Sequence, residues 1–298
     1  MSKKHPVVVV TGSSGAGTST VKKALESIFH RHKIRPALIE GDSFHRYDRE
    51  CMRREMTRAH EADINFSHFG ATANQFELLE DLFRSYGESG RGQKRFYLHN
   101  AEEASEHSKR LGMALESGQF TPWEDIEPDT DLLFYEGLHG LVKTGGVDMT
   151  RYADFKVGVV PVVNLEWIQK IHRDSAERGY QQDEVVDSIL RRMPDYVKYI
   201  TPQFSETDIN FQRVATVDTS NPFIARDIPT LDESFVVIRF RKPDIRNTDF
   251  TNLLSMISGS FMSRRNTIVV PGGKMGMAVE IILTPIILDL LGGRSRAR

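Results

Sequence analysis

Cysteine is almost missing from this chain: Cys51 is the only one in 298 residues, which excludes an intramolecular disulfide. A lone cysteine inside a helical pattern reads as a small packing residue rather than a nucleophile. The chain also lacks an excess of either charge. Thirty-nine Lys and Arg stand against 41 Asp and Glu, a formal net charge of −2, so no global basic field points to nucleic acid or to an anionic membrane. Any anion site must therefore be local. Long apolar runs are short too. "MSKKHPVVVV" turns polar at "TGSSG", too early for a secretory core, and a cytoplasmic protein is expected. "IILTPIILDLL" is interrupted by Pro285 and soon followed by charge, which favours a buried helix over a membrane span. No internal repeat and no Pro/Ser-rich linker divides the sequence, so a single domain over 1–298 is expected.

What is present is alternation. "VVVV" is a β-branched run of the kind buried on both faces of a mainly parallel sheet, and "RPALIEGD", "DLLFYEGLHG", "FKVGVVPV", "VATVDT", "SFVVIRF" and "NTIVVP" read as further strands. Apolar residues recur at helical spacing over 18–32 and over about 49–62, 74–87, 164–179, 183–199 and 275–291. Strands alternating with helices predict a wound α/β sheet. The stretch from about 87 to 129 has weak periodicity and much charge, and reads as a surface insertion or lid region.

Between the first strand and the first helix lies "GSSGAGTST", comprising Gly12, Ser13, Ser14, Gly15, Ala16, Gly17, Thr18, Ser19 and Thr20. Its glycines match a phosphate-binding loop, but Thr18 occupies the place of the usual lysine. The position strengthens the match, because backbone N–H groups and a helix dipole converge there on an anion. Ser19 falls where such a loop offers a hydroxyl to Mg²⁺. A nucleotide site also needs an acid at another strand end, and Glu136 in "DLLFYEG" supplies it. Asp42 ends the strand after the loop's helix. Since ligands in open sheets bind beyond the carboxyl ends of strands, the loop, Asp42 and Glu136 are expected along one edge.

Two charged clusters surround these positions. "GDSFHRYDRE" gathers Asp42, His45, Arg46 and Arg49. A carboxylate beside cations stays ionised, fit to accept or orient a hydroxyl proton, and arginines grip phosphate with paired hydrogen bonds. In "NLEWIQKIHRDSAERGY", Lys170, Arg173, Asp174 and Arg178 recur at three- or four-residue spacing, a face that offers the positive charge Thr18 cannot. A solvated loop and a plain salt-bridged helix face are the unremarkable alternatives for the two clusters.

With these stretches in place, the sequence resembles the bacterial phosphoribulokinases, enzymes that make ribulose 1,5-bisphosphate for carbon fixation. "GSSGAGTST", "EGDSFHRY", "FSHF", "LLFYEGLHG", "GVVPVVNLEWIQKIHRDSAERGY", "PQFSETDINFQRV" and "VDTSNPFIARDIP" carry the resemblance, which spans essentially the whole chain. The bacterial class itself has threonine in place of the loop lysine. The resemblance implies a P-loop, nucleoside-monophosphate-kinase-like mixed sheet flanked by helices. It also implies ATP as co-substrate, Mg²⁺, D-ribulose 5-phosphate as acceptor, and a homo-oligomer of octameric type. It further implies Asp42 as catalytic base, Lys170 as the cation on the transferring phosphoryl group, Asp174 as a second essential acid, and Glu136 as the acid near the metal. His45, Arg49 and Arg173, with Arg178 close by, would contact the sugar phosphate. Whether Glu136 or Asp174 ligates Mg²⁺ stays open at this stage.

Regulation divides the family. Its photosynthetic eukaryotic branch is switched off by a disulfide from the loop; here that loop position is Ala16 and only Cys51 exists, so this control is chemically impossible. The bacterial class implies NADH as activator and AMP as inhibitor. Arg31 and the arginines of "VIRFRKP" and "MSRRN" are candidate interface or effector cations. Uridine kinase and pantothenate kinase, which share the loop-and-sheet plan, are the nearest alternatives, and a non-enzymatic nucleotide-binding switch is the alternative of another class.

Overall fold

A computed structural model describes residues 5–13, 16–178, 181–224, 227–242 and 248–295. Its strands are β1 (Val7–Gly12), β2 (Pro36–Glu40), β3 (Gln93–Lys94), β4 (Glu124–Asp125), β5 (Leu132–Gly137), β6 (Lys143–Thr144), β7 (Val147–Asp148), β8 (Phe155–Val159), β9 (Ile209–Ala215), β10 (Ser234–Phe240), β11 (Phe261–Arg264) and β12 (Thr267–Pro271). Its helices are α1 (Thr18–Arg31), α2 (Arg49–Glu61), α3 (Phe76–Ser89), α4 (Ala101–Leu111), α5 (Val163–Arg178), α6 (Gln182–Asp195), α7 (Phe250–Met256) and α8 (Met275–Ser295). Eight strands form one mixed sheet in the order β2-β5-β1-β8-β9-β10-β12-β11. The pairs from β2 through to β9 are parallel and those from β9 to β11 antiparallel.

The valine run explains the layering. Successive strand residues face opposite ways. Val8 and Val10 enter a core built with α1 and α8, including Leu25, Ile28, Val279 and Leu283, while Val7 and Val9 enter another built with α3, including Leu79, Phe83 and Tyr86. All four valines are fully buried, so β1 is fixed in the middle of the molecule. At its carboxyl end the Thr11 hydroxyl meets Gln203, whose Oε1 also accepts from the Leu141 amide at 2.9 Å and whose Nε2 donates to the carbonyls of Leu138 and Tyr199 at 2.8 Å each. This buried amide joins β1, the loop after β5 and the chain before β9.

Several sequence readings shift. The strand placed at "VATVDT" lies earlier, at Ile209–Ala215, because Ile209 and Phe211 are the residues that enter the core and Val217 is exposed. Helix α8, by contrast, runs through Pro285 as the helical spacing over 275–291 predicts. A proline inside a helix costs about 3 kcal/mol, and the burial of Ala278, Val279, Ile282, Leu283, Ile286 and Ile287 along one face offsets it. This helix is long and apolar enough to cross a membrane by length and composition, but that face belongs to the core. Where 183–199 read as one helix, α6 stops at Asp195 and a wider π turn covers Tyr196–Ile200, next to Pro194, which lacks the N–H of a regular turn. The 87–129 stretch begins inside α3 and contains β3, α4 and β4; Leu98, Ala104 and Ile126 are buried within it. Helix α7 and edge strand β11 were not anticipated.

Gln203→Leu should lower unfolding stability by about 3 kcal/mol or more, since each buried group left without a partner costs about 1–3 kcal/mol. A urea unfolding midpoint compared with that of Glu116→Gln, at an exposed position, measures it.

Candidate active site

The carboxyl ends of the central parallel strands meet at one edge. Glu136 is level with Val10 on β1 and with Glu40 on β2, and Gly12 is level with Val159 on β8. Of the expected loop, Ser14 and Gly15 lie outside the described residues. A methyl group at Gly12 would come within 2.7 Å of the Val159 carbonyl oxygen, so only glycine lets the chain leave the sheet there. Ala16 N–H donates back to the Ser13 carbonyl at 3.1 Å, closing a turn from which α1 starts after Gly17. Ser13 Oγ is buried, with the Glu166 carboxyl beside it. Thr18 is buried and its hydroxyl faces Glu136, whereas Ser19 and Thr20 are exposed on the first turn of α1. Burial raises the Glu136 pKa, aided by Asp42 and Glu40 and opposed by Lys22. Lys22, a turn beyond Thr18, pairs with Glu40 at 2.6 Å and brings a cation to the loop side that the sequence reading missed.

Asp42 stands on the short turn Gly41–Phe44 directly after β2. His45 Nε2 lies 3.3 Å from its Oδ1 and His99 Nε2 3.9 Å from its Oδ2. Burial alone would lift the Asp42 pKa, but His45, with His99 and His68 adding to it, pushes it down to about 2. For His45, burial opposes the positive charge, yet Asp42 and the Asn74 amide outweigh it and raise its pKa. Arg95, from the 87–129 stretch, donates to the carbonyls of Ser43 and His45 at 2.7 Å each and rests 3.7 Å from the Phe120 ring centroid. The Asp42 side of the edge is thus fixed by residues far along the chain.

Arg46 and Arg49 both donate to main-chain carbonyls nearby. Arg46 donates to the carbonyls of Thr72 and Asn74 at 3.2 and 3.1 Å. Arg49 opens α2, which is capped by Asp48, and donates to the His99 carbonyl at 2.7 Å and to Ser117 Oγ at 3.4 Å. The segment "FSHF" forms a wall: Ser67 donates to buried Asp195 at 2.7 Å, and His139 Nε2 donates to the Phe69 carbonyl at 3.1 Å. Burial drives both His68 and His139 down to about 3, so both rings are neutral.

Helix α5 leaves the edge just beyond β8. Lys170 hydrogen-bonds Asp174 Oδ2 and Arg173 Nε sits 3.2 Å from Asp174 Oδ1, with only 5% of the Asp174 side chain exposed. Of the three cations expected around this acid, Lys170 and Arg173 are gathered at it, while the Arg178 side chain lies outside the described residues. Burial lowers the Lys170 pKa and Asp174 opposes the shift, whereas Arg192 and Arg173 reinforce it. Lys170 is felt electrostatically by His68 and by Glu166, so α5 bridges the wall and the loop. Glu166 itself accepts from the Tyr196 hydroxyl at 3.2 Å and is lifted by burial to about 7.

The residues that could hold Mg²⁺ are a hydroxyl and two carboxylates, Ser19, Glu136 and Asp174. Among the described residues no three His, Cys, Asp or Glu side chains converge into a preformed cage. A few hard oxygens suit Mg²⁺, which takes one or two protein ligands and completes its shell with phosphate and water. The buried Ser13 hydroxyl and the turn between Gly12 and Gly17 likewise suit a polyphosphate.

Residues 7–220 match the model of the phosphoribulokinase / uridine kinase family. The chain is 56% identical over 298 residues to the chromosomal phosphoribulokinase of Cupriavidus necator, covering 100% of this chain and 99% of that protein. It is 58% identical over 288 residues to phosphoribulokinase 1 of Cereibacter sphaeroides, covering 96% and 97% of the two chains. The solved phosphoribulokinase from Rhodobacter spheroides superposes with a TM-score of 0.88 at 54% identity, covering 99% of this chain and all of that one. A glycine turn, an acid-histidine pair and a cationic helix at one sheet edge, in a chain this similar throughout, leave one assignment: the chain belongs to the phosphoribulokinase / uridine kinase family, among its bacterial phosphoribulokinases.

Proposed function

We propose that the chain transfers the γ-phosphoryl group of ATP in line to the O1 hydroxyl of D-ribulose 5-phosphate, giving D-ribulose 1,5-bisphosphate and ADP, with Asp42 receiving the hydroxyl proton. One observation carries the assignment of the base: Asp42, held ionised by His45 at 3.3 Å, stands on the same strand-end edge as the glycine turn. Phosphoryl transfer asks little covalent chemistry of a protein and much positioning and electrostatics. The backbone amides of the turn cradle the polyphosphate. Lys170, already oriented by Asp174, meets the charge that shifts onto the transferring oxygens. Arg49 and Arg173, with Arg178, hold the far phosphate of the sugar, so remote binding energy aligns O1, while both ring nitrogens of His45 face Asp42 and Asn74. Ser19 and Glu136 would hold Mg²⁺, which supplies neutralising charge to the phosphates; Asp174 is the second candidate, but its carboxylate already serves two cations.

The 87–129 stretch acts in this reading as cover for the acceptor side, which the Arg95 contacts with Ser43 and His45 support. Exposed Phe235 and Phe261, edge to face at 6.3 Å near the antiparallel end of the sheet, support association between subunits, whose octameric number rests on the resemblance alone.

Asp42→Asn should lower kcat by about 10²- to 10⁴-fold with little change in the sugar KM, the signature of a lost proton acceptor. Arg49→Ala should instead raise the ribulose 5-phosphate KM by about tenfold or more, the worth of a charge-assisted hydrogen bond, with kcat largely kept. Steady-state kinetics of the two variants separates the roles, and normal turnover by Asp42→Asn removes it as the base. In a coupled ADP-release assay, turnover should require ribulose 5-phosphate and be absent with uridine or pantothenate. At subsaturating substrate NADH should raise that rate and AMP lower it, and indifference to both overturns the effector reading.

A further inference from the structure

Residues 44–46 and 73–75 run side by side as a short antiparallel ladder: Arg46 N–H donates to the Ala73 carbonyl at 2.8 Å and Gln75 N–H to the Phe44 carbonyl at 2.9 Å. This places the buried Asn74 amide directly behind the His45 ring. The amide has one usable orientation, because its Nδ2 donates to the carbonyls of His68 and Gly70 at 2.8 and 2.7 Å. Its Oδ1 therefore faces His45 Nδ1 at 2.8 Å. An amide oxygen only accepts, so Nδ1 must carry a hydrogen. On the other side of the ring, Nε2 lies 3.3 Å from Asp42 Oδ1, where an unprotonated nitrogen would set its lone pair against a carboxylate. Both contacts are satisfied together only when both ring nitrogens are protonated.

The remaining groups around the pair do not supply this preference. Arg95, donating to the His45 carbonyl, opposes a second positive charge. His68, 5.6 Å away ring to ring, and His139 are neutral, and Tyr97 offers a ring edge at 6.4 Å. His99 faces Asp42 rather than His45, and Lys170 and Arg192, near His68, add positive field. Only Asp42 and the Asn74 carbonyl favour the cation.

We propose that Asn74 is a positioning residue of the transfer: its amide, locked by two backbone carbonyls, holds His45 as an imidazolium and thereby keeps Asp42 ionised and aimed. The inference rests on the assignment of Asp42 as base. A His45 cation is lost as pH rises through its pKa, so kcat/KM for ribulose 5-phosphate falls on the alkaline side at that point.

The test combines pH profiles with deuterium exchange at the imidazole C2 positions, read by mass spectrometry on the full chain, which titrates each histidine without any turnover. In the wild type His45 should titrate above about 6.5, the ordinary histidine value. Asn74→Leu should weaken its proton affinity about tenfold or more, the worth of a hydrogen bond to a charged group, and move the alkaline fall of kcat/KM to lower pH by the same factor. Asn74→Asp keeps an acceptor toward Nδ1 and adds a negative charge, though it loses the two carbonyl contacts, so its fall should lie at higher pH than that of Asn74→Leu. A merely structural role for Asn74 would lower activity equally at every pH. The proposal is overturned if His45 of the wild type titrates at or below the ordinary value, a measurement that needs no variant to fold, or if Asn74→Leu leaves the alkaline fall in place. Full activity of Asp42→Asn would strike the assignment of the base alone, because the exchange measurement reads the state of His45 independently of it.

Discussion

Because β1 is covered on both faces, with Val8 and Val10 committed to the α1 and α8 side and Val7 and Val9 to the α3 side, its register against β5 and β8 has no freedom. A slip by one residue would exchange the two sets of valines between differently shaped cores. The consequence is chemical as well as architectural. With β1 fixed, the glycine turn begins where Glu136 ends β5 and where β8 hands over to α5. The Gln203 amide ties off the same end of the strand from below, satisfying polar groups that this burial would otherwise strand.

On that frame the electrostatics divide into two territories. Toward the loop, Lys22 balances Glu40 and Glu136, so negative charge predominates where a metal-bound polyphosphate would bring positive charge with it. Toward the acceptor, the imidazole of His45 balances Asp42, with neutral His68 and His139 forming the wall behind. Helix α5 spans both. The Asp174 carboxylate holds Lys170 and Arg173 in a fixed arrangement, trading part of their charge for orientation. A lysine in the glycine turn would crowd a region where cations already arrive from α1 and α5, which gives the threonine at position 18 a physical setting: buried, with its hydroxyl toward Glu136.

The parts of this arrangement written in local pattern were legible. The valine run, glycine turn and amphipathic α1 follow from burial, backbone freedom and helical spacing within 25 residues. Asp42 and His45 are three residues apart, and Lys170, Arg173 and Asp174 share a helix face. What stayed hidden depends on distant backbone. Asn74, Arg95 and His99 act through carbonyl groups or across sequence gaps of about 30 to 60 residues, which no periodicity announces. Lys22 looked like an ordinary surface residue until β2 brought Glu40 beside it. Helix α4 is nearly all polar, with Ala104 its one fully buried residue, so it gave no apolar stripe; its signal was the Asn100 cap and the left-handed Gly112 at its ends. The strand at Ile209–Ala215 was displaced in the sequence reading because β-branched residues continue past it into exposed chain.

Where β2 and β5 finish, Gly41 and Gly137 touch: a methyl group on Gly137 would fall 2.6 Å from the Gly41 Cα, and one on Gly41 2.6 Å from the Tyr135 hydroxyl. Each glycine adjoins an acid in sequence, Gly41 before Asp42 and Gly137 after Glu136. The gap between Asp42, the proposed proton acceptor, and Glu136, the proposed metal-side carboxylate, is thus a dimension of bare main chain, with no side-chain shim to lengthen it. Even alanine at either place would act as a wedge, prising the two acids apart while leaving both chemically intact.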